Sequence, residues 1–195
     1  MKTRFDHAYV VNVLADDHPG IVAAVGGAVE SFGGNIDACS QTVLAGHFTL
    51  IMVISLPQAQ EAARLADEIR RRGRGLEVIA RKVDIALDRK GAGDIERFVL
   101  TAFGPDRPGI IRRFSQYLAG KDINITDFYG ERRDETLVLI GEVEVPAARQ
   151  IAALQADLEH IGREEGYTVR LQHEDIFVAT NQLRLSRRDL QFEGE

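Results

Sequence analysis

The sequence predicts an α+β chain made of two βαββαβ domains in tandem, each an antiparallel four-stranded sheet with both helices on one face. Three observations carry this. Asp17-His18-Pro19-Gly20-Ile21 returns as Asp106-Arg107-Pro108-Gly109-Ile110, from position 17 to position 106, an offset of 89. The same offset carries Asn35-Ile36 onto Asn124-Ile125 and Pro57 onto Pro146 without a gap. Within each copy the hydrophobic period changes in the order strand, helix, strand, strand, helix, strand.

In the first copy, Val10 to Ala15 reads as a strand apolar enough to be central in a sheet. The following helix carries Ile21, Val22, Val25, Ala28, Val29 and Phe32 at three- and four-residue spacing and stops at Gly33-Gly34, where a left-handed cap is easy. Asn35 to Val43 and His47 to Leu56 form a hairpin around Ala45-Gly46. Gln58 to Arg72 is the second helix, with Ala62, Leu65, Ala66 and Ile69 inward, and Leu76 to Leu87 is the last strand. Two right-handed crossovers interleave these elements into the ferredoxin-like plan.

The second copy repeats the order: strand Phe98 to Phe103, helix Ile110 to Ala119, hairpin Ile123 to Val145, a helix with Ile151, Leu154, Leu158 and Ile161, and a strand from Tyr167 to Leu171. Its hairpin tip, Glu131 to Glu135, is charged where the first is small, so the two tips should differ. The expected boundaries are residues 1–88 and 96–175 for the domains, 89–95 for a glycine-bearing linker, and 176–195 for an extension outside the repeat. Domains of roughly 90 residues are large enough to bury a modest core.

Composition narrows the function. At 45% hydrophobic and 28% charged the chain is globular, and a net charge of −6 argues against direct nucleic-acid binding, which needs a basic surface. The charged start, Met1 to His7, is followed by no long apolar segment, so a cytoplasmic location is expected. The most apolar run, Phe48 to Leu56, is far short of the roughly 18 residues of a membrane span, and no membrane association is expected. A single cysteine, Cys39, excludes an intrachain disulfide and is expected to be a small packed side chain. No metal or other cofactor is expected: His18 and His47 have no partner at ligand spacing, and the Gly26-Gly27 and Gly33-Gly34 pairs are misplaced for a dinucleotide fingerprint. Neither a nucleophile elbow nor a metalloprotease helix is present, so a non-enzymatic role is expected.

The repeated motif sits where a strand gives way to a helix. A helix start offers N–H groups without intrahelical partners and the positive end of the macrodipole, which suit a carboxylate. Proline there has no N–H to leave unpaired, and glycine lets a ligand approach the backbone. The same residues also suit a helix-start device with Asp as cap, and Asn35 and Asn124 suit turn positions; both readings stand at this level.

A strand, Asp-x-Pro-Gly-Ile, an amphipathic helix and Asn-Ile opening the second strand together resemble the ACT domain, twice over and to about Asp175. Two such domains and no other module resemble the glycine-cleavage-system transcriptional repressor type. The resemblance implies a regulatory module that binds a small amino acid, such as glycine or serine, where two domains meet, and signals to a protein partner. Carried over by residue, it implies ligand contacts from Asp17, Pro19, Gly20, Ile21, Asn35 and Ile36, and from Asp106, Pro108, Gly109, Ile110, Asn124 and Ile125. The second motif position departs, His18 against Arg107, so the two sites need not bind the same molecule. The second strand lies at a sheet edge in this topology, and an unpaired edge invites pairing, so the sheets are expected to meet laterally, within one chain or between the two chains of an expected homodimer. The rival is a structural adaptor that offers edge strands to a protein and binds no metabolite.

Overall fold

The computed structural model describes residues 2–84 and 94–178. Contacts divide the chain into two compact units, Met1–Lys90 and Gly91–Glu195. The first unit contains β1 (His7–Asp16), α1 (Ile21–Ser31), β2 (Asn35–Leu44), β3 (His47–Leu56), α2 (Ala62–Arg72) and β4 (Glu77–Val83). The second contains β5 (Ile95–Pro105), α3 (Ile110–Gly120), β6 (Asn124–Arg133), β7 (Thr136–Pro146), α4 (Ile151–Glu165) and β8 (Thr168–His173).

The sheets have the orders β2-β3-β1-β4 and β6-β7-β5-β8, with every neighbouring pair antiparallel. The apolar β1 is central and the second strand of each copy is an edge, as the patterning predicts. Alternation along β1 and β3 turns Tyr9, Val11, Val13, Leu50, Met52 and Ile54 into one core, with Ile21, Val25 and Val29 of α1 and Leu65 and Ile69 of α2. Both helices therefore lie on the same sheet face. The second unit builds an equivalent core from Leu100, Phe114, Leu118, Leu139, Val143 and Leu158.

Several boundaries differ from the expected ones. The second helix of the first unit begins at Ala62 rather than Gln58, because the Tyr9 hydroxyl holds Gln60 outside the helix, donating to its carbonyl and accepting from its N–H, both at 2.7 Å. The 89-residue offset holds through β7 and the start of α4. Tyr9 pairs with Lys82 and its counterpart Phe98 with His173, a shift of 91, because α4 is 15 residues long against 11 for α2 while the connection after it is two residues shorter. Both hairpin tips have two residues, but Ala45 and Gly46 are both left-handed whereas only Asp134 is in the second copy. Cys39 is exposed, against expectation, because the edge strand β2 is exposed along most of its length. The expected linker at 89–95 falls largely outside the described residues, as do 85–87 of the expected fourth strand and 179–195 of the extension; residues 174–178 form a helical turn.

Candidate functional site

Each unit builds its motif loop in the same way. The chain leaves the first strand, and the next main-chain N–H donates to the hairpin tip: Asp17 to the Gly46 carbonyl and Asp106 to the Glu135 carbonyl, each at 2.8 Å. After the exposed Pro19 and Pro108, Gly20 and Gly109 turn into the helix with φ of 99° and 93°. That left-handed geometry strongly favours glycine. A Cβ at either glycine would meet nothing within 4 Å, so the space beside the loop is also open. Ala24 and Arg113 donate to the Gly20 and Gly109 carbonyls at 2.9 and 3.0 Å, starting each helix.

No side chain caps α1 or α3, and neither has an acidic residue in its first turn. The aspartates therefore do not serve as side-chain caps. The Asp106 carboxylate instead faces Arg132 at 3.2 Å. Ile21 and Ile110 are core residues, 2% and 4% exposed, so they offer a ligand their main chain only.

The second motif position, different in the two copies, reaches the residue three before the last strand in both. His18 places Nδ1 3.0 Å from the Pro19 carbonyl and Nε2 3.2 Å from that of Arg74, in the turn before β4. Both partners can only accept, so the doubly protonated ring is favoured, and the pKa rises above its ordinary value, first through Pro19 and then through Arg74. Arg107 reaches the corresponding end of its own domain, 3.8 Å from the carboxylate of Glu165. Arg113 also binds Glu164 and Glu165, which compensates two acids at the carbonyl end of α4.

Asn-Ile sits at a β-bulge in both copies, the register shifting between Ile36 and Ala38 and between Ile125 and Asp127. Asn35 donates to the Asp37 carboxylate at 2.9 Å, and the same oxygen accepts the Arg4 N–H at 2.9 Å. Asn124 donates to Glu144, its cross-strand neighbour, at 3.2 Å. Ile36 is partly exposed, and Ile125 packs against the second core. These contacts could not be found by sequence reasoning, because the bulge that sets them has no local signature here.

The two halves of the expected site do not meet within one domain. Asn35 pairs with Ser55, which pairs with Ala8, and the motif begins after Asp16, eight residues further along β1. At about 3.3 Å per residue this is roughly 26 Å. Asn124, Glu144 and Arg97 repeat the relationship, with Pro105 eight residues on. No free amino acid spans that length, so one ligand cannot touch the motif loop and the second-strand start of the same copy. Among the described residues no group of three or more His, Cys, Asp or Glu side chains is placed to hold a metal ion, and no helix is long and apolar enough to cross a membrane.

The fold and these loops define a tandem of βαββαβ domains, each with a glycine-started, uncapped helix beside its first strand. The family model for the ACT domain matches residues 7–82 and again 96–172, well over half of the chain, and the chain belongs to this family of regulatory domains. The tandem ACT organisation expected from the motifs is thus present. Among curated proteins, a UPF0237 protein of Methanocaldococcus jannaschii is 37% identical over 84 residues, covering 43% of this chain and 93% of that protein. One from Streptococcus pneumoniae is 39% identical over 69 residues, 35% of this chain and 78% of its own length. An unknown protein from Galdieria sulphuraria superposes with a TM-score of 0.71 at 22% identity, over 86% of this chain and 98% of that one. A candidate glycine cleavage system transcriptional repressor does so at 0.61 and 15%, with the same coverage. The resemblance to the repressor type therefore holds at the level of the fold.

Proposed function

We propose that this protein is a non-catalytic cytoplasmic regulator that binds a small amino acid, such as glycine or serine, and passes its occupancy to a protein partner. The observation that carries the proposal is the repeated loop at Gly20 and Gly109: an uncapped helix start, left-handed glycine and open space beside it. Uncapped N–H groups and the helix dipole favour a carboxylate there. Asn35 or Asn124 supplies the polar contact to the other end of the zwitterion, and it does so from a second chain. A two-fold axis perpendicular to the strands turns one copy end for end, which brings a motif end toward an Asn end. A homodimer is therefore part of the proposal.

The test is calorimetry against the common amino acids, with light scattering for chain stoichiometry. Binding is expected in a dimer, and Asn35→Ala or Asn124→Ala should lose a hydrogen bond worth about 1 to 2 kcal/mol, roughly 5- to 30-fold in affinity. No heat with any amino acid, or binding by a strict monomer, refutes it. The adaptor reading draws on Leu14, Ile51 and Ile79, exposed on the sheet face opposite the helices, and gains from the first of those outcomes.

A further inference from the structure

The repeat is broken inside the second core. Position 52 of the first copy is Met, 1% exposed and packed among Val11, Val25 and Ile54 positions of the core; its counterpart is Gly141. Val13 is likewise matched by Ala102. Larger residues come in around the gap, among them Leu100 for Val11, Phe114 for Val25, Leu118 for Val29 and Phe128 for Cys39, but Phe128 stays 44% exposed at the edge and the space is not filled. What is left is a cavity of about 110 Å³ between α3 and the sheet. Leu118, Leu139 and Val143 form its buried walls, and exposed Ile111 and Phe128 stand at its mouth.

The lining is hydrocarbon except for Ser115, whose hydroxyl already donates to the Arg112 carbonyl at 3.1 Å. Nothing there can hold an ammonium or a carboxylate, and a water inside would lack partners. An empty hollow in a core forfeits dispersion contacts and costs stability, and a methionine at position 141 would remove it. A Cβ on Gly141 would meet the Phe128 ring at 3.4 Å, ordinary contact, so close packing does not demand glycine. Nor does the backbone, since Gly141 is in regular strand without positive φ.

We infer that the second domain carries a ligand site of its own: an apolar pocket beneath α3 that takes a compact uncharged molecule, an aromatic ring or short branched aliphatic chain. Its walls contain neither motif-loop glycine nor Asn124, and of the residues expected to contact an amino acid they include Ile125 alone, which offers only hydrocarbon. The occupant is a small molecule rather than a protein segment, since the walls enclose a hollow of benzene-like size at the depth of the buried core.

The test uses toluene as probe on the full-length protein, with benzoate as the charged control. Toluene near ten times its Kd should raise Tm by roughly 5 to 10 °C and shift the methyl resonances of Leu118 and Leu139, and benzoate should do neither. Gly141→Met and Ala102→Val, each restoring the first copy's residue, should abolish the response while Tm without ligand is held or raised. Should Gly141→Met fail to fold, Ala102→Val alone decides. No response in the wild type, or an equal one in a folded variant, overturns the proposal. So does an unresponsive wild type whose oligomeric state changes on Gly141→Met, which would make the hollow an interface pocket.

Discussion

Asp17 donates its main-chain N–H to the Gly46 carbonyl at 2.8 Å, tying the loop before α1 to the tip of the β2–β3 hairpin, and the second domain repeats the bond between Asp106 and Glu135. The loop is therefore held at both ends, by the hairpin tip and by the core residue that follows it, Ile21 or Ile110. Four predictions rest on this framework.

Gly20 and Gly109 are left-handed with open surroundings, so substitution there should cost backbone strain and no clash. Gly20→Ala and Gly109→Ala should each destabilise their domain by about 1 to 2 kcal/mol, and asparagine, which tolerates this geometry, should cost less. Chemical denaturation of the four variants measures the order. Equal stability of the alanine variants and the wild type would contradict the geometry.

His18 should confer a pH dependence. Its folded pKa is raised by the Pro19 and then the Arg74 carbonyl. A raised folded pKa means the contribution is complete below the unfolded value near 6.5 and disappears as pH rises through the higher folded value. The Tm advantage of wild type over His18→Gln should be full below about pH 6.5 and shrink as pH rises above it, through the raised folded value. An NMR titration placing His18 at or below the unfolded value would rule this out.

Gly104 lies against the ring of Tyr167, whose carbon atoms would be 2.5 Å from a Cβ at that position. Tyr167 is fixed there, buried and donating its hydroxyl to the Pro105 carbonyl at 2.6 Å. Gly104→Ala should therefore cost about 1 to 3 kcal/mol by overpacking, and Tyr167→Phe about 1 kcal/mol through the lost hydrogen bond. Urea unfolding of both variants checks the ranking, and a neutral Gly104→Ala would show that the ring can move.

Asn35 and Asn124 have local acceptors, Asp37 and Glu144, so their removal should be felt before any ligand is added. Both bonds are at least partly solvent-accessible, so each alanine variant should lose no more than about 1 kcal/mol of stability. A larger loss in affinity than in stability, read from calorimetry beside denaturation, separates a ligand contact from a purely structural one. Losses of equal size would favour structure alone.

Most of the architecture is legible along the chain, because hydrophobic period and turn residues act over a few neighbours. The Val11 and Val13 alternation, the Ile21 to Phe32 stripe and the Gly33 stop each specify an element without reference to anything distant. The repeat then supplies the order of elements twice, and the order restricts the topology. What local pattern misjudged depends on contacts across the fold, such as the Tyr9 hydroxyl delaying α2 and the edge position exposing Cys39.

The sequence by itself determined that there are two copies, what elements each contains, and which residues the motif repeats. Only the tertiary structure decided where those residues stand relative to one another. Strand direction puts Asp17 and Asn35 at opposite ends of a sheet, although 18 positions separate them along the chain. Packing against the turn before the last strand gives His18 and Arg107 a shared task that their chemistry conceals. Packing beneath α3 leaves a hollow beside Gly141, where the first copy has Met52 in its core. Periodicity is a property of neighbours in sequence, whereas distance, protonation and void volume arise from neighbours in space, which the chain acquires only when the sheet and helices close on one core.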